Sequence, residues 1–138
     1  MVRKLLFTLA ILTFGLLTPI LEISSTHVFN PDWPGHARLH NLWQLITHSM
    51  IALYLGWMVW RQNRLREACL FALLVTTGFL AAHFLSPLYG GTMKHSDGSE
   101  LVWAGINSAV IVMVLATTIL GWLFVTTKRD ILQKGSKA

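Results

Sequence analysis

Six histidines mark the 138-residue chain, at His27, His36, His40, His48, His83 and His95. Imidazole titrates near neutral pH and beside a carboxylate can move protons; several neutral imidazoles together can also ligate zinc, iron or copper. His36, His40, Gln44 and His48 recur at every fourth position. On a helix each step of four turns about 400°, so they form one slowly drifting stripe, with Asn41 beside it. The His36 and His40 pair has the i, i+4 spacing of helical metal motifs. The candidate metal ligands are therefore His36, His40, His48 and His83, with Glu22, Asp32 or Glu100 as carboxylate ligands or supporting partners.

The same inventory serves acid/base chemistry without a metal, through His48 and His83 with Glu22, Glu100 and Asn107 as the remaining polar candidates. Nucleophilic catalysis has weaker footing. Ser25, Ser86 and Ser99 lack a G-x-S-x-G context, and Cys69 is expected at the cytoplasmic end of the third span, across the membrane from the histidines. The rival to all of these is structural: interfacial histidines bonded to headgroups and loop carbonyls, and His48, His83 and Asn107 fastening helices to one another.

The elements that must position these residues follow from composition. Hydrophobic residues make up 54 % of the chain and charged residues 12 %, too apolar for an ordinary soluble domain. A bilayer core of roughly 30 Å takes about 20 mostly apolar helical residues. Four runs meet that length, at Leu5–Ile23, Leu42–Trp60, Cys69–Leu88 and Leu101–Val125, so the expected fold is all-α: one polytopic four-helix membrane domain over 1–138. Met1-Val2-Arg3-Lys4 before an apolar run also fits a secretory signal. The long run and the lack of a small-x-small site before Ser24-Ser25-Thr26 favour an uncleaved first span.

Short-loop cations are retained in the cytoplasm. Nine stand on the side of the termini (Arg3, Lys4, Arg61, Arg64, Arg66, Lys128, Arg129, Lys134 and Lys137), against Arg38 and Lys94 on the other, so both termini are expected inside. The net charge of +5 is then a membrane-surface charge rather than a nucleic-acid footprint. Trp33, Trp43 and Trp103 would mark the outer headgroup level, and Trp57, Trp60 and Trp122 the inner one. The single cysteine, Cys69, reads as a small packing residue.

That layout makes the two outer connections the informative parts. Asn30-Pro31-Asp32 has turn chemistry, and Pro34 suits a first helical turn, so the second helix should start near Trp33–Gly35 and carry His36 and His40 before it enters the bilayer. His48 lies about six residues into its span, His83 five residues before the end of the third, and Asn107 six residues into the fourth. Ionisable groups at that depth usually turn inward, so an outward-open polar pocket is expected there, closed by Glu22 and by Glu100 on the Asn107 face. In the second connection His95 and Asp97 could fold over it, while Ser99 would cap the last helix with Glu100 in its first turn. Gly78/Ala82 and Gly105/Ala109 would let the third and fourth helices approach closely.

His36-Ala37-Arg38-Leu39-His40 is superficially similar to the H-x-x-x-H element of membrane desaturases and hydroxylases, but their further H-x-x-H-H boxes are absent. The longer stretch Thr26-His27-Val28-Phe29-Asn30-Pro31-Asp32-Trp33-Pro34-Gly35-His36-Ala37-Arg38-Leu39-His40-Asn41 resembles a signature of small four-span membrane proteins of uncharacterised function. The resemblance implies that this loop is the working part, and it implies no reaction or cofactor. The sequence thus points to a multi-pass protein, by default of a bacterial inner membrane, among lipids. It would be a metal-dependent or acid/base enzyme acting on a lipophilic or small substrate. The alternative is a non-enzymatic subunit of a homo-oligomer or larger membrane complex, or a small-solute transporter.

Overall fold

A computed structural model describes residues 1–135, with side chains described through Thr127. The side chains of Lys128, Arg129 and Lys134, and all of Lys137, lie outside the described residues. Four helices carry the chain: α1 (Val2–Glu22), α2 (Gly35–Gln62), α3 (Leu65–Tyr89) and α4 (Ser108–Gly135). Each holds a segment long and apolar enough to cross a bilayer, which makes this a multi-pass membrane protein. The α1 start and the far end of α4 share one end of the bundle, where the Arg3 guanidinium stands 6.0 Å from the Trp122 ring centre. We call this the terminal end and its opposite the distal end.

Between lipid-facing helices the hydrophobic effect supplies little attraction, so close packing and hydrogen bonds must hold the bundle. Small side chains do this on α3, where Ala68, Cys69, Ala72 and Thr76 are fully buried on one face, against Met113, Ala116, Leu120 and Leu123 of α4 in the same core. Cys69 is the packing residue its isolation implied. Gly78, by contrast, has no atom within 4 Å of where a Cβ would stand, so the expected Gly78/Ala82 seam is not the contact.

The first helix bends the rules of backbone pairing midway. Thr13–Leu17 form a π turn, with the Thr18 N–H donating to the Thr13 carbonyl. Pro19 has no N–H to offer the Gly15 carbonyl four residues back. Ser49 of α2 brings a donor within reach instead, its single hydroxyl 3.0 Å from Gly15 O and also 3.0 Å from the Leu45 carbonyl of its own helix, so the two acceptors share it, a substitution that neighbouring helices commonly make for a proline in a membrane span. Gly15 is needed there for a second reason: a Cβ would collide with the Cβ of Ala52. Thus α1 and α2 cross at a point where both backbones are in reach of each other.

The fourth span begins at Ser108 rather than Leu101. Residues 101–107 form a two-stranded antiparallel hairpin, β1 (Val102–Trp103) and β2 (Ile106–Asn107), pairing Val102 with Asn107 and Trp103 with Ile106. Its two-residue turn, Ala104-Gly105, has φ of 51° and 80°, a conformation Gly tolerates readily and which suits a tight hairpin. The apolar letters of Leu101, Val102, Trp103 and Ile106 lengthened the expected span, whereas the turn ends it. Asn107 Oδ1 accepts from the Ala109 N–H at 2.9 Å, so Asn107 caps α4 instead of lying six residues inside it. Ser99 is not that cap; its N–H and Oγ both donate to Asp97 Oδ1.

Candidate functional site at the distal end

Two loops close the distal end. The first, residues 23–34, folds back on the α1 terminus: Val28 N–H donates to the Glu22 carbonyl and Phe29 N–H to that of Ser24. Val28 and Asn30 are buried. Asn30, 1 % exposed, uses both ends of its amide. Its Nδ2 donates to the Thr26 carbonyl (3.1 Å) and to Ser96 Oγ (2.9 Å), and its Oδ1 accepts from the Asp32 N–H (3.0 Å). The Ser96 bond joins the two distal loops across 66 residues of chain.

A second join lies beside it. The His27 ring meets that of His95 edge-on at 4.9 Å between centres and that of Trp33 at 5.5 Å. Thr26 Oγ1 lies 3.0 Å from His27 Nδ1. Partial burial pushes the His27 pKa below its ordinary value; the Glu22 carboxylate opposes that shift and His95 adds to it. Asp97, on the exposed loop, is held below the usual carboxylate range by its hydrogen bonds from Ser99.

Glu22 is the carboxylate at the centre of this end. Its Oε2 accepts from Asn41 Nδ2 of α2 at 2.8 Å, and its charge favours the His27 imidazolium against the effect of burial. Asn41 Oδ1 is buried with no hydrogen-bond partner among the described residues, an acceptor left over beside a carboxylate. Two turns further along α2, the His48 ring stands 6.0 Å from Phe14, edge-on, next to Ser49 and the π turn of α1. Single π turns recur at functional sites, because they turn side chains out of helical register.

The expected metal set is divided by this arrangement. His36 and His40 are together, Nε2 to Nε2 at 2.9 Å, on the exposed first turns of α2. His48 and His83 do not join them: among the described residues no three His, Cys, Asp or Glu side chains form a group able to hold a metal ion. His83, near the distal end of α3, packs against Phe84 and keeps a buried Nδ1 without a partner among the described residues. Glu100 and Asn107 do meet, Asn107 Nδ2 donating to Glu100 Oε1 at 3.1 Å, but across the base of the hairpin and not along a helix face. The equal depth assigned to His48, His83 and Asn107 fails for Asn107.

Sequence reasoning listed Glu22 and His48 but left out His27, Asn30, Asn41 and Ser96 as site residues. In sequence Asn30-Pro31-Asp32 has the chemistry of a turn, which hides the buried, cross-linking role that Asn30 takes in the fold. Comparison with known proteins adds nothing to this geometry: no family model, curated protein or solved structure matches the chain.

Proposed function

We propose that the distal end is an acid/base site for a lipophilic or small substrate at the membrane surface, centred on Glu22 with His27, Asn41 and His48. The observation that carries this reading is the partly buried Glu22 carboxylate, bonded to Asn41 Nδ2 of α2 at 2.8 Å and near enough to the His27 imidazole of the loop for its charge to favour the imidazolium. A carboxylate that orients or stabilises an imidazole is the minimal equipment for moving a proton. The unpartnered Asn41 Oδ1 beside Glu22 favours a substrate that presents an O–H or N–H donor. Both termini are placed on the cytoplasmic side in this proposal, by the excess of Arg and Lys at the terminal end, so the site opens outward; a bacterial inner membrane remains our assignment.

Acid/base work is favoured over a catalytic metal because the ligand set does not converge among the described residues. The test is untargeted lipid and small-metabolite profiling of membranes carrying wild type, Glu22→Gln or His48→Ala at matched protein levels. Species altered by wild type and restored by both variants support the reading. Indistinguishable profiles for all three would sink it and favour a non-enzymatic subunit.

A further inference from the structure

A groove of about 370 Å³ opens between α2 and α3 toward the terminal end, far from the histidines. Its walls are Ile51, Tyr54 and Met58 of α2 and Phe71 and Leu74 of α3, and Arg64 of the connecting turn stands at its mouth. The wall positions follow helical spacing on both helices, as though each face were built to meet a partner. The two faces are nonetheless splayed, leaving Tyr54, Phe71 and Leu74 at least 49 % exposed above a fully buried Met58 floor. From Ile51 to Met58 the groove runs about 10 Å along the span, at 1.5 Å per residue. Its volume lies within the range of sites that hold small apolar ligands.

The mouth is basic. Arg61 and Arg64 are exposed there, and Lys4 reaches the same turn, its Nζ donating to Asn63 Oδ1 at 2.6 Å. Arg64 touches Glu67 only loosely, Nε to Oε1 at 3.6 Å with both side chains half exposed, a pair that holds its partner weakly. A guanidinium so placed can exchange that contact for two hydrogen bonds to a phosphate. An apolar slot inside the bilayer with cations at its headgroup end has the chemistry of one molecule, and basic pockets between membrane helices recognise anionic headgroups in this way. A second copy of the chain would bring the same positive charges to the mouth and repel.

We propose that this groove binds an anionic phospholipid, one acyl chain between α2 and α3 and the phosphate on Arg64. The full chain would be placed in bilayers of equal phosphatidylglycerol and phosphatidylcholine with matched acyl chains, then released and weighed by native mass spectrometry. Wild type should carry phosphatidylglycerol in about fivefold excess, the preference expected from one basic side chain at a headgroup. Arg64→Gln should bring the two lipids to near parity while keeping them bound, and Arg38→Gln, at the distal end, should leave the preference intact. Leu74→Trp, which fills the slot, should shed both lipids. Parity in wild type, an undiminished preference in Arg64→Gln, or a lipid-free dimer would overturn the proposal. Arg64 is a surface residue, so its variant decides the headgroup half even where Leu74→Trp fails to fold.

Discussion

Asn30 is the strap across the distal end, and replacing it by alanine measures how firmly that end is closed. Asn30→Ala deletes three hydrogen bonds, to the Thr26 carbonyl, Ser96 Oγ and the Asp32 N–H, from a side chain that is 1 % exposed. At about 1 kcal/mol each, the local loss approaches about 3 kcal/mol. Tenfold in an equilibrium corresponds to about 1.4 kcal/mol, so amide exchange in both loops should accelerate by roughly 100-fold. Hydrogen–deuterium exchange read by mass spectrometry separates residues 24–34 from 94–100. Ser96→Ala removes one of the three bonds and should speed exchange by at most about tenfold. The double variant should fall short of the summed effects by about 1 kcal/mol, because the deleted bond is counted in both singles. Faster exchange in 24–34 with no change in 94–100 would refute the strap: Asn30 would then order only its own loop.

The other outcomes test separate parts of the same structure. His27 has its pKa lowered by burial, so the folded cap resists protonation that the open chain accepts; closure is complete above about pH 6.5 and weakens as pH falls below it. Exchange of 24–34, corrected for its intrinsic pH dependence, should therefore quicken between pH 7.5 and 5.5 in wild type and much less in His27→Ala. Glu22→Gln removes the charge that favours the His27 imidazolium, so ring-proton NMR should show His27 titrating lower still. An unmoved or raised titration would exclude Glu22 as its partner. Gly15→Val sets a side chain against Ala52 at the α1–α2 crossing and should lower the thermal unfolding midpoint, with Ala52→Gly restoring part of it. Ser49→Ala leaves the Gly15 carbonyl without its cross-helix donor, at a cost of about 0.6 kcal/mol in urea or detergent titration.

Much of this fold was legible from length and apolarity alone. Val2–Glu22, Gly35–Gln62 and Leu65–Tyr89 contain the first three expected spans almost whole, and the α2 start follows Pro34 as its fixed φ implied. What hydropathy could not see is that an apolar run can fold back on itself. Leu101, Val102, Trp103 and Ile106 count toward a span in any sliding average, yet the left-handed Ala104-Gly105 pair turns them into a hairpin. The β-branched and aromatic residues flanking Gly105 are the local signal of a hairpin, which a length criterion does not register. The π turn was equally hidden, because it arises from Pro19 together with a donor, Ser49, that is close only in the folded bundle.

The site shows the same limit more sharply, since spacing along one helix fixes which side chains share a stripe but not which stripe faces a partner. His36, Gln44 and His40 lie along α2 on exposed positions, while His48 turns toward Phe14 of α1. A four-residue repeat drifts about 40° per step, and three steps carry it about a third of the way round the helix. The stripe was therefore too long to be one site: its start faces outward and its end faces the bundle. Glu22 was found because a carboxylate at the end of a span is costly and conspicuous. His27 and Asn41 are harder to read, because the loop that carries His27 follows a path that depends on Asn30, and a buried loop amide looks in sequence like any turn residue. The proposed distal site depends on loop closure, so conditions that open the loops, acid or loss of Asn30, should silence it before they unfold the helices.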